Sequence, residues 1–168
     1  MKKGGGIIPI TIKNGEILVM LGRESEDVRS DGAGKWSDFG GVAEKRETYK
    51  ECAVREGFEE TMGMFGSQDT LSKLIDTKLA CELKKNKYKS FAIHVNYKKN
   101  LPEDFSMIYN CAMEEEPHLI YENNGFFEKD KVQWFKLERL KDHKDCGAFT
   151  IRDHFKPILS DLCDQLLG

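Results

Sequence analysis

The apolar and polar positions of the first forty residues predict a hairpin and a short third strand. Ile7 to Ile12 is short and β-branched, which favours a strand, and Asn14-Gly15 after it is a strong signal for a tight turn. Glu16 to Leu21 is the expected partner strand. Arg23 to Lys35, rich in Asp, Ser and Gly, reads as a loop, and Trp36 to Phe39 reads as a strand ending in Gly40-Gly41. Glu47 to Met62 has no Pro and only one Gly, and is the best helix candidate in the chain. Leu71 to Leu83 and Lys87 to Tyr97 look like two strands joined at Lys84-Lys85-Asn86. Lys98 to Asp130 is mixed, with a short helix expected near Ser106 to Met113, and Val132 to Phe135 reads as a strand. In Thr150 to Leu167, residues Ile151, Phe155, Ile158, Leu159, Leu162 and Leu166 fall at helical spacing, which predicts a terminal helix. The pattern is mixed α and β without repeats or linkers.

Composition narrows the class. A length of 168 residues favours one domain, residues 1–168, large enough for a core without metal or disulfide staples. With 39% apolar residues and ten Phe, the chain is not expected to be disordered. A net charge of −3 argues against binding driven by a nucleic-acid backbone. Cys52, Cys81, Cys111, Cys146 and Cys163 are scattered and contain no CxxC pair, so neither a disulfide framework nor a zinc knuckle is expected. Free thiols suit a reducing compartment. The start is basic, but the apolar stretch behind it is short and broken by Pro9 and Thr11, and no run approaches the roughly 20 apolar residues of a membrane span. A soluble, cytoplasmic protein without a membrane partner is expected.

The candidate helix carries the chemistry. Glu56, Glu59 and Glu60 lie three and four residues apart, which puts them on one face. Like charges at such spacings repel by a few tenths of a kcal/mol per pair (about 0.2–0.5), and something must offset that cost. A divalent cation is the natural candidate, because hard cations take oxygen ligands. The alternative is an ordinary solvated acidic face. Gly40-Gly41 supplies a turn whose carbonyls can approach a metal closely, and Arg55 is placed to hold one carboxylate.

These residues resemble the Nudix signature: a glycine, five residues, a glutamate, seven residues, Arg-Glu, an apolar residue, any residue, then Glu-Glu, any residue, a glycine and an apolar residue. Gly41, Glu47, Arg55, Glu56, Glu59 and Glu60 keep every spacing between the charged positions. The resemblance extends to the hairpin before the motif and to the Trp134-Phe135 strand after it. Three positions depart from the pattern. Phe39 stands where a proline often precedes the glycine pair, Gly57 takes an apolar slot, and Met62 takes the slot of the late glycine, with Gly63 next. Gly57 inside a helix should cost about 1 kcal/mol against alanine, unless it permits a close backbone contact.

The resemblance implies an α/β/α sandwich with a mixed β-sheet flanked by helices. It implies hydrolysis of the phosphoanhydride linkage of a nucleoside diphosphate joined to another group. Nucleoside triphosphates, ADP-ribose-like sugars and dinucleoside polyphosphates are the candidate substrates. Mg²⁺ or Mn²⁺ would be the cofactor, held by Glu56, Glu59 and Glu60 with help from the Gly41 or Gly40 carbonyl. Glu47 is either a further metal contact or an organiser of the loop. Arg55 orients a glutamate and Arg23 is a candidate phosphate contact. The general base is either a motif glutamate or one on a later loop, where Glu114, Glu115, Glu116, Glu122 and Glu128 are the candidates and Glu128 sits shortly before the Trp134 strand. The Glu114–Glu116 run reads as solvated charge. Two rivals remain: removal of the cap from mRNA, and a nucleotide- or RNA-binding module without turnover, which has no need of three repelling carboxylates. The resemblance leaves a homodimer open.

Lys84, Lys85, Lys87 and Lys89 with Tyr88 and Phe91 form a basic hairpin. It suits either RNA contact or, as the plainer reading, a solvated turn whose lysines discourage edge pairing. His94 and Cys52 read as packing residues, and Trp36 and Trp134 as core or pocket walls.

Overall fold

The structure is a computed structural model, and it describes residues 2–27, 31–122, 125–141 and 149–168. β1 (Gly4–Lys13) is the axis of the sheet. Along one edge it pairs in parallel with β6 (Tyr88–His94). Its other edge is divided: the first half meets β4 (Phe39–Val42) and the second half meets β2 (Glu16–Glu24), both antiparallel. β2 also pairs with β3 (Lys35–Ser37) and with β7 (Lys129–Lys136), while β5 (Leu79–Lys85) pairs with β6 and β8 (Thr150–Ile151) with β3. The result is a mixed eight-stranded sheet. Asn14 and Gly15 both have positive φ, as the two central residues of a type I′ hairpin turn require.

Helices cover both faces. Gly4 to Thr11 are all buried, which is why β1 reads as a continuous apolar run rather than an alternating one. Ile7 points into a core with α1 (Tyr49–Glu60), α2 (Gln68–Thr77) and α3 (Leu101–Glu115), built with Phe39, Ala53, Leu71, Phe91 and Phe105. Ile8 and Ile10 point the other way, against Phe155, Ile158, Leu159 and Leu162 at the start and within α6 (Lys156–Leu167). Two short helices, α4 (His118–Tyr121) and α5 (Leu137–Leu140), flank β7. This is the α/β/α sandwich. Among the described residues no helix is long and apolar enough to cross a membrane. Cys52, Cys81, Cys111 and Cys163 are free thiols, while Cys146 lies outside the described residues.

Several expected boundaries move. Leu71 to Leu83 is not one strand, because α2 occupies its first half. Ser67 caps that helix by accepting from the Thr70 N–H, and Leu71 and Ile75, one turn apart, face the core. The expected terminal helix loses its first six residues, since Thr150–Ile151 joins the sheet and α6 begins at Lys156, with Pro157 in its first turn. The expected short helix at Ser106 to Met113 is the middle of the longer α3. Trp36 to Phe39 divides at Asp38 into β3 and β4, which serve different neighbours.

Gly57, the departure inside α1, has a steric cause. A Cβ there would come within 2.7 Å of Ile7 Cδ1 and 2.8 Å of Cγ1, so the helix lies directly on β1. Gly57→Ala should therefore destabilise the protein by about 1–2 kcal/mol, overpacking outweighing the gain in helix propensity. Denaturant unfolding measures this, and Ile7→Val, which removes Cδ1, should recover part of the loss in the double variant. A stabilised Gly57→Ala protein would refute the contact.

Candidate active site

α1 begins cleanly. Thr48 caps it by accepting from the Glu51 N–H, and Glu51 reciprocates to the Thr48 N–H. Cys52, Ala53 and Val54 are buried on its sheet side, which turns Glu56, Glu59 and Glu60 toward the loop after β4 and toward β7. The helix ends in two crossed bonds, Met62 N–H to the Glu59 carbonyl and Gly63 N–H to the Phe58 carbonyl, with both residues at positive φ. Met62 in the glycine slot therefore does a glycine's backbone work.

Arg55 ties this region together. Its Nε donates to Glu47 Oε1 at 2.8 Å and its Nη2 to Glu47 Oε2 at 3.0 Å. Nη2 also reaches the Val42 carbonyl at 3.1 Å, and Nη1 reaches Glu56 Oε1 at 2.9 Å and Glu59 Oε2 at 3.4 Å. Glu47 accepts a further bond from the Glu44 N–H at 2.8 Å. Both Glu47 oxygens are thus engaged, and the Arg55 guanidinium holds its carboxyl below the usual range. Of the two roles expected for Glu47, the geometry is that of the loop organiser. Gly41 lies under Glu56: a Cβ there would fall 2.6 Å from the Glu56 carboxyl carbon, so a larger residue would displace that carboxylate. Its carbonyl accepts from the Cys52 thiol at 3.5 Å.

A second cation enters from β7. Lys129 is 1% exposed, and its Nζ donates to Ser37 Oγ at 3.0 Å and to Glu24 Oε2 at 3.4 Å. It stands 3.8 Å from Glu60 Oε2. Glu60 is 2% exposed and its Oε1 has no hydrogen-bond partner among the described residues. Burial, with Glu128, Glu24 and Glu56 adding repulsion against the pull of Lys129, raises the Glu60 carboxyl well above its ordinary range. Burial also raises Glu56 to about 7, opposed by Arg55 and reinforced by Glu128 and Glu59. Glu59 and Glu128 are raised as well, each chiefly by burial.

The arrangement has the chemistry of a cation site. An orphaned buried acceptor sits among oxygen donors that repel one another, which suits a hard divalent ion. Among the described residues no three acidic, His or Cys side chains already close on one point as a ligand set. An ion that keeps several waters in its shell fits such an open arrangement.

Other expected residues fall into place. Arg23 forks onto Asp130, with Nε to Oδ1 at 2.7 Å and Nη2 to Oδ2 at 3.0 Å, so the fork expected to meet phosphate is occupied by a carboxylate. Glu128 is half-buried beside the cluster and feels Glu24 and Glu59. Glu114, Glu115 and Glu116 lie at the end of α3, all three exposed, and Glu116 meets His118. Lys85 pairs with Asp161 and Lys89 with Glu82, the arrangement of a solvated turn. His94 is exposed at the end of β6, and the Cys52 thiol is pushed up to about 12 by burial and the nearby glutamates, which makes it inert. Lys129, Glu24 and Arg152 were not anticipated. Arg152 donates to Glu24 Oε2 at 3.4 Å and, with Tyr88, His154 and Gly41, lines a hollow of about 350 Å³ next to the glycine loop.

A mixed sheet between helices, with an arginine-braced carboxylate helix on one face, defines a class of fold and site. The sequence matches the NUDIX domain over residues 2–154, and the chain belongs to that family. Among solved structures it is similar to an Ap4A hydrolase of C. elegans, at 14% identity and a TM-score of 0.56, covering 100% of this chain and 99% of that one. It is also similar to the NUDIX domain of Shewanella oneidensis NrtR complexed with ADP ribose, at 11% identity and a TM-score of 0.57, covering 99% and 88%. A third is a bifunctional NMN adenylyltransferase/ADP ribose pyrophosphatase of Francisella tularensis complexed with AMP and a Mn ion, at 17% identity and a TM-score of 0.56, covering 97% and 42%. In sequence, an uncharacterised protein of Acanthamoeba polyphaga mimivirus is 41% identical over 71 residues, which is 42% of this chain and 23% of that protein.

The raised carboxyls have a consequence for the metal-free protein. Between the ordinary 4.5 of an unfolded glutamate and the 7 or so of folded Glu56, the folded state binds more protons than the unfolded chain. Stability therefore falls as pH rises through that window. Glu60→Gln removes one buried titrating carboxyl, which should flatten the profile and narrow the gap in metal-free melting temperature between about pH 5 and pH 7.5 by roughly 2–4 °C, the equivalent of about 1 kcal/mol. Thermal unfolding across pH measures both. A profile that rises toward neutrality would contradict the burial of these charges.

Proposed function

We propose that this protein hydrolyses a phosphoanhydride bond in a nucleotide-derived small molecule, with Mg²⁺ or Mn²⁺ held by Glu56, Glu59 and Glu60. The observation that carries the reading is the buried, unpartnered Glu60 Oε1 among carboxylates at the end of the signature helix. When bound, the divalent ion supplies the positive charge that draws phosphate oxygens to an acidic surface and makes water a better nucleophile.

The chain's own residues do the rest. Arg55 holds Glu56 and Glu59 side by side, and Glu47 locks Arg55 to the loop. Lys129 draws Glu60 Oε2 to itself and leaves Oε1 for the ion. The Gly41 carbonyl is a further metal contact in this reading. Glu128 is the general base that takes the proton of the attacking water; its raised pKa brings it nearer neutrality, where a base is most effective. Arg23 acts at a distance by fixing Asp130, a β7 residue two positions after Glu128. The hollow beside Gly41, with the Tyr88 and His154 rings, seats the nucleoside. Support for a nucleotide comes from the neighbours, whose names carry Ap4A, ADP ribose and AMP.

A panel with Mg²⁺ or Mn²⁺ tests the reading: nucleoside triphosphates, ADP-ribose, dinucleoside polyphosphates and capped RNA. Turnover of at least one of the small molecules is expected. Capped RNA as the sole substrate, or no turnover at all, would overturn it. Glu59→Gln and Glu60→Gln should each lower kcat about 100-fold or more with the fold intact by circular dichroism. Glu128→Gln should lower kcat by about 10²–10⁴-fold while Mn²⁺ still binds by calorimetry. Near-normal rates in all three variants would remove these residues from the chemistry.

A further inference from the structure

A second hollow, of about 300 Å³, opens on the other flank of the carboxylates. We propose that it binds a planar ring bearing a fixed positive charge, as the end of the substrate across the scissile bond from the nucleoside seated beside Gly41. This rests on the hydrolase reading above.

The lining carries the argument. Tyr121, Phe126 and Phe127 supply three aromatic side chains, and Glu24, Glu122 and Glu128 supply three carboxylates. Among the described residues its lining includes no Lys, Arg or His. Aromatic faces attract cations through the ring quadrupole, and carboxylates at the same wall add to that attraction. Glu24 is already shared between Lys129 and Arg152, and Glu128 feels those two cations as well as Glu24 and Glu59, while Glu122 is exposed. A neutral ring would gain the aromatic contact alone. A cationic ring gains both. The volume is at the low end of small-molecule sites and suits one ring system.

The position is fixed by packing. Phe126 meets Phe58 of α1 edge to face at 6.0 Å, and Gly125 lies so close to Glu59 that a Cβ there would strike its carboxylate. Phe127 has φ 62, a left-handed conformation that a bulky residue adopts only at a cost. In it the ring stands 6.3 Å from Tyr109, whose hydroxyl is bonded to Ser25 Oγ at 2.7 Å and to Asp27 Oδ2 at 2.9 Å. The Tyr88 hollow meets the carboxylates at Glu56, through Gly41. This one meets them at Glu128, which lines it, and Gly125 next to Phe126 lies against Glu59. One substrate can therefore reach both, with its phosphates between.

The test compares rings that differ in charge, without phosphates, so that the metal site plays no part. Calorimetry of the full-length protein would use 7-methylguanosine against guanosine, and nicotinamide riboside against its neutral dihydro form. The charged member of at least one pair should bind about tenfold more tightly. Which pair shows the preference identifies the ring, a purinium or a pyridinium. Tyr121→Ala, at a residue 61% exposed, should abolish the difference without harming the fold, and Glu122→Gln should reduce it. Equal binding within both pairs overturns the proposal, as does a preference that survives Tyr121→Ala. The substrate panel is read separately. Turnover of nucleotides with no charge preference would overturn this proposal and leave the hydrolase reading standing. A charge preference without turnover would sink the hydrolase reading and the placing of the ring across a scissile bond, and keep only the ring site.

Discussion

Arg55 makes the carboxylate face tolerable. A helix that presents Glu56, Glu59 and Glu60 on one side works against itself, and burial sharpens the repulsion by removing water. A guanidinium answers this better than an ammonium, because its planar fork holds several acceptors in fixed directions. Here one fork reaches Glu47 with two nitrogens, touches Glu56 and Glu59 with a third, and takes in the Val42 carbonyl. The helix, the loop before it and the end of β4 are thereby fixed relative to one another by a single side chain. Glu47 matters for the same reason: it keeps Arg55 turned toward the loop, and the Glu44 N–H keeps Glu47 in place.

Lys129 plays the matching part from the sheet. β2 and β7 pair so that Glu24 and Lys129 stand opposite each other, with an irregularity in register beside Glu24. That register brings a fully buried lysine under Glu60. A buried lysine without partners would be costly, and this one is matched to Glu24, Ser37 and Glu60. Gly22 completes the fit, since a Cβ there would lie 3.0 Å from the Lys129 side chain. The carboxylates are thus gripped from two sides, by Arg55 along the helix and by Lys129 across the sheet, and Glu60 Oε1 is left between the two grips.

What could be read from the sequence follows from what is local. The spacing of Glu56, Glu59 and Glu60 sets their common face by helix geometry alone, and Asn14-Gly15 sets its turn by backbone preference. Both are seen in the structure. The role of Gly57 was open between a helix defect and a close contact, and only the packing of α1 on Ile7 decides it. Lys129 and Glu24 were invisible because their meeting depends on strand register, which no local pattern encodes. The Arg23–Asp130 pair was hidden for the same reason, since its partners stand 107 residues apart in sequence. The error at Leu71 to Leu83 came from a helix and a strand in immediate succession, whose apolar residues merge into one run.

The electrostatics and the fold pull in opposite directions, and that opposition has a physical reading. Glu56 and Glu60 are held where their charged forms are unfavourable, at the expense of stability. A fold that only needed stability could replace them with apolar residues of similar size at little loss. Keeping them buried makes sense where a bound cation supplies the missing charge, because binding to the folded state alone then returns what burial takes away. The same strain makes the site selective for charge. In the proposed reading a divalent ion supplies the missing charge at the centre, and the aromatic flank extends that preference to a cationic substrate ring.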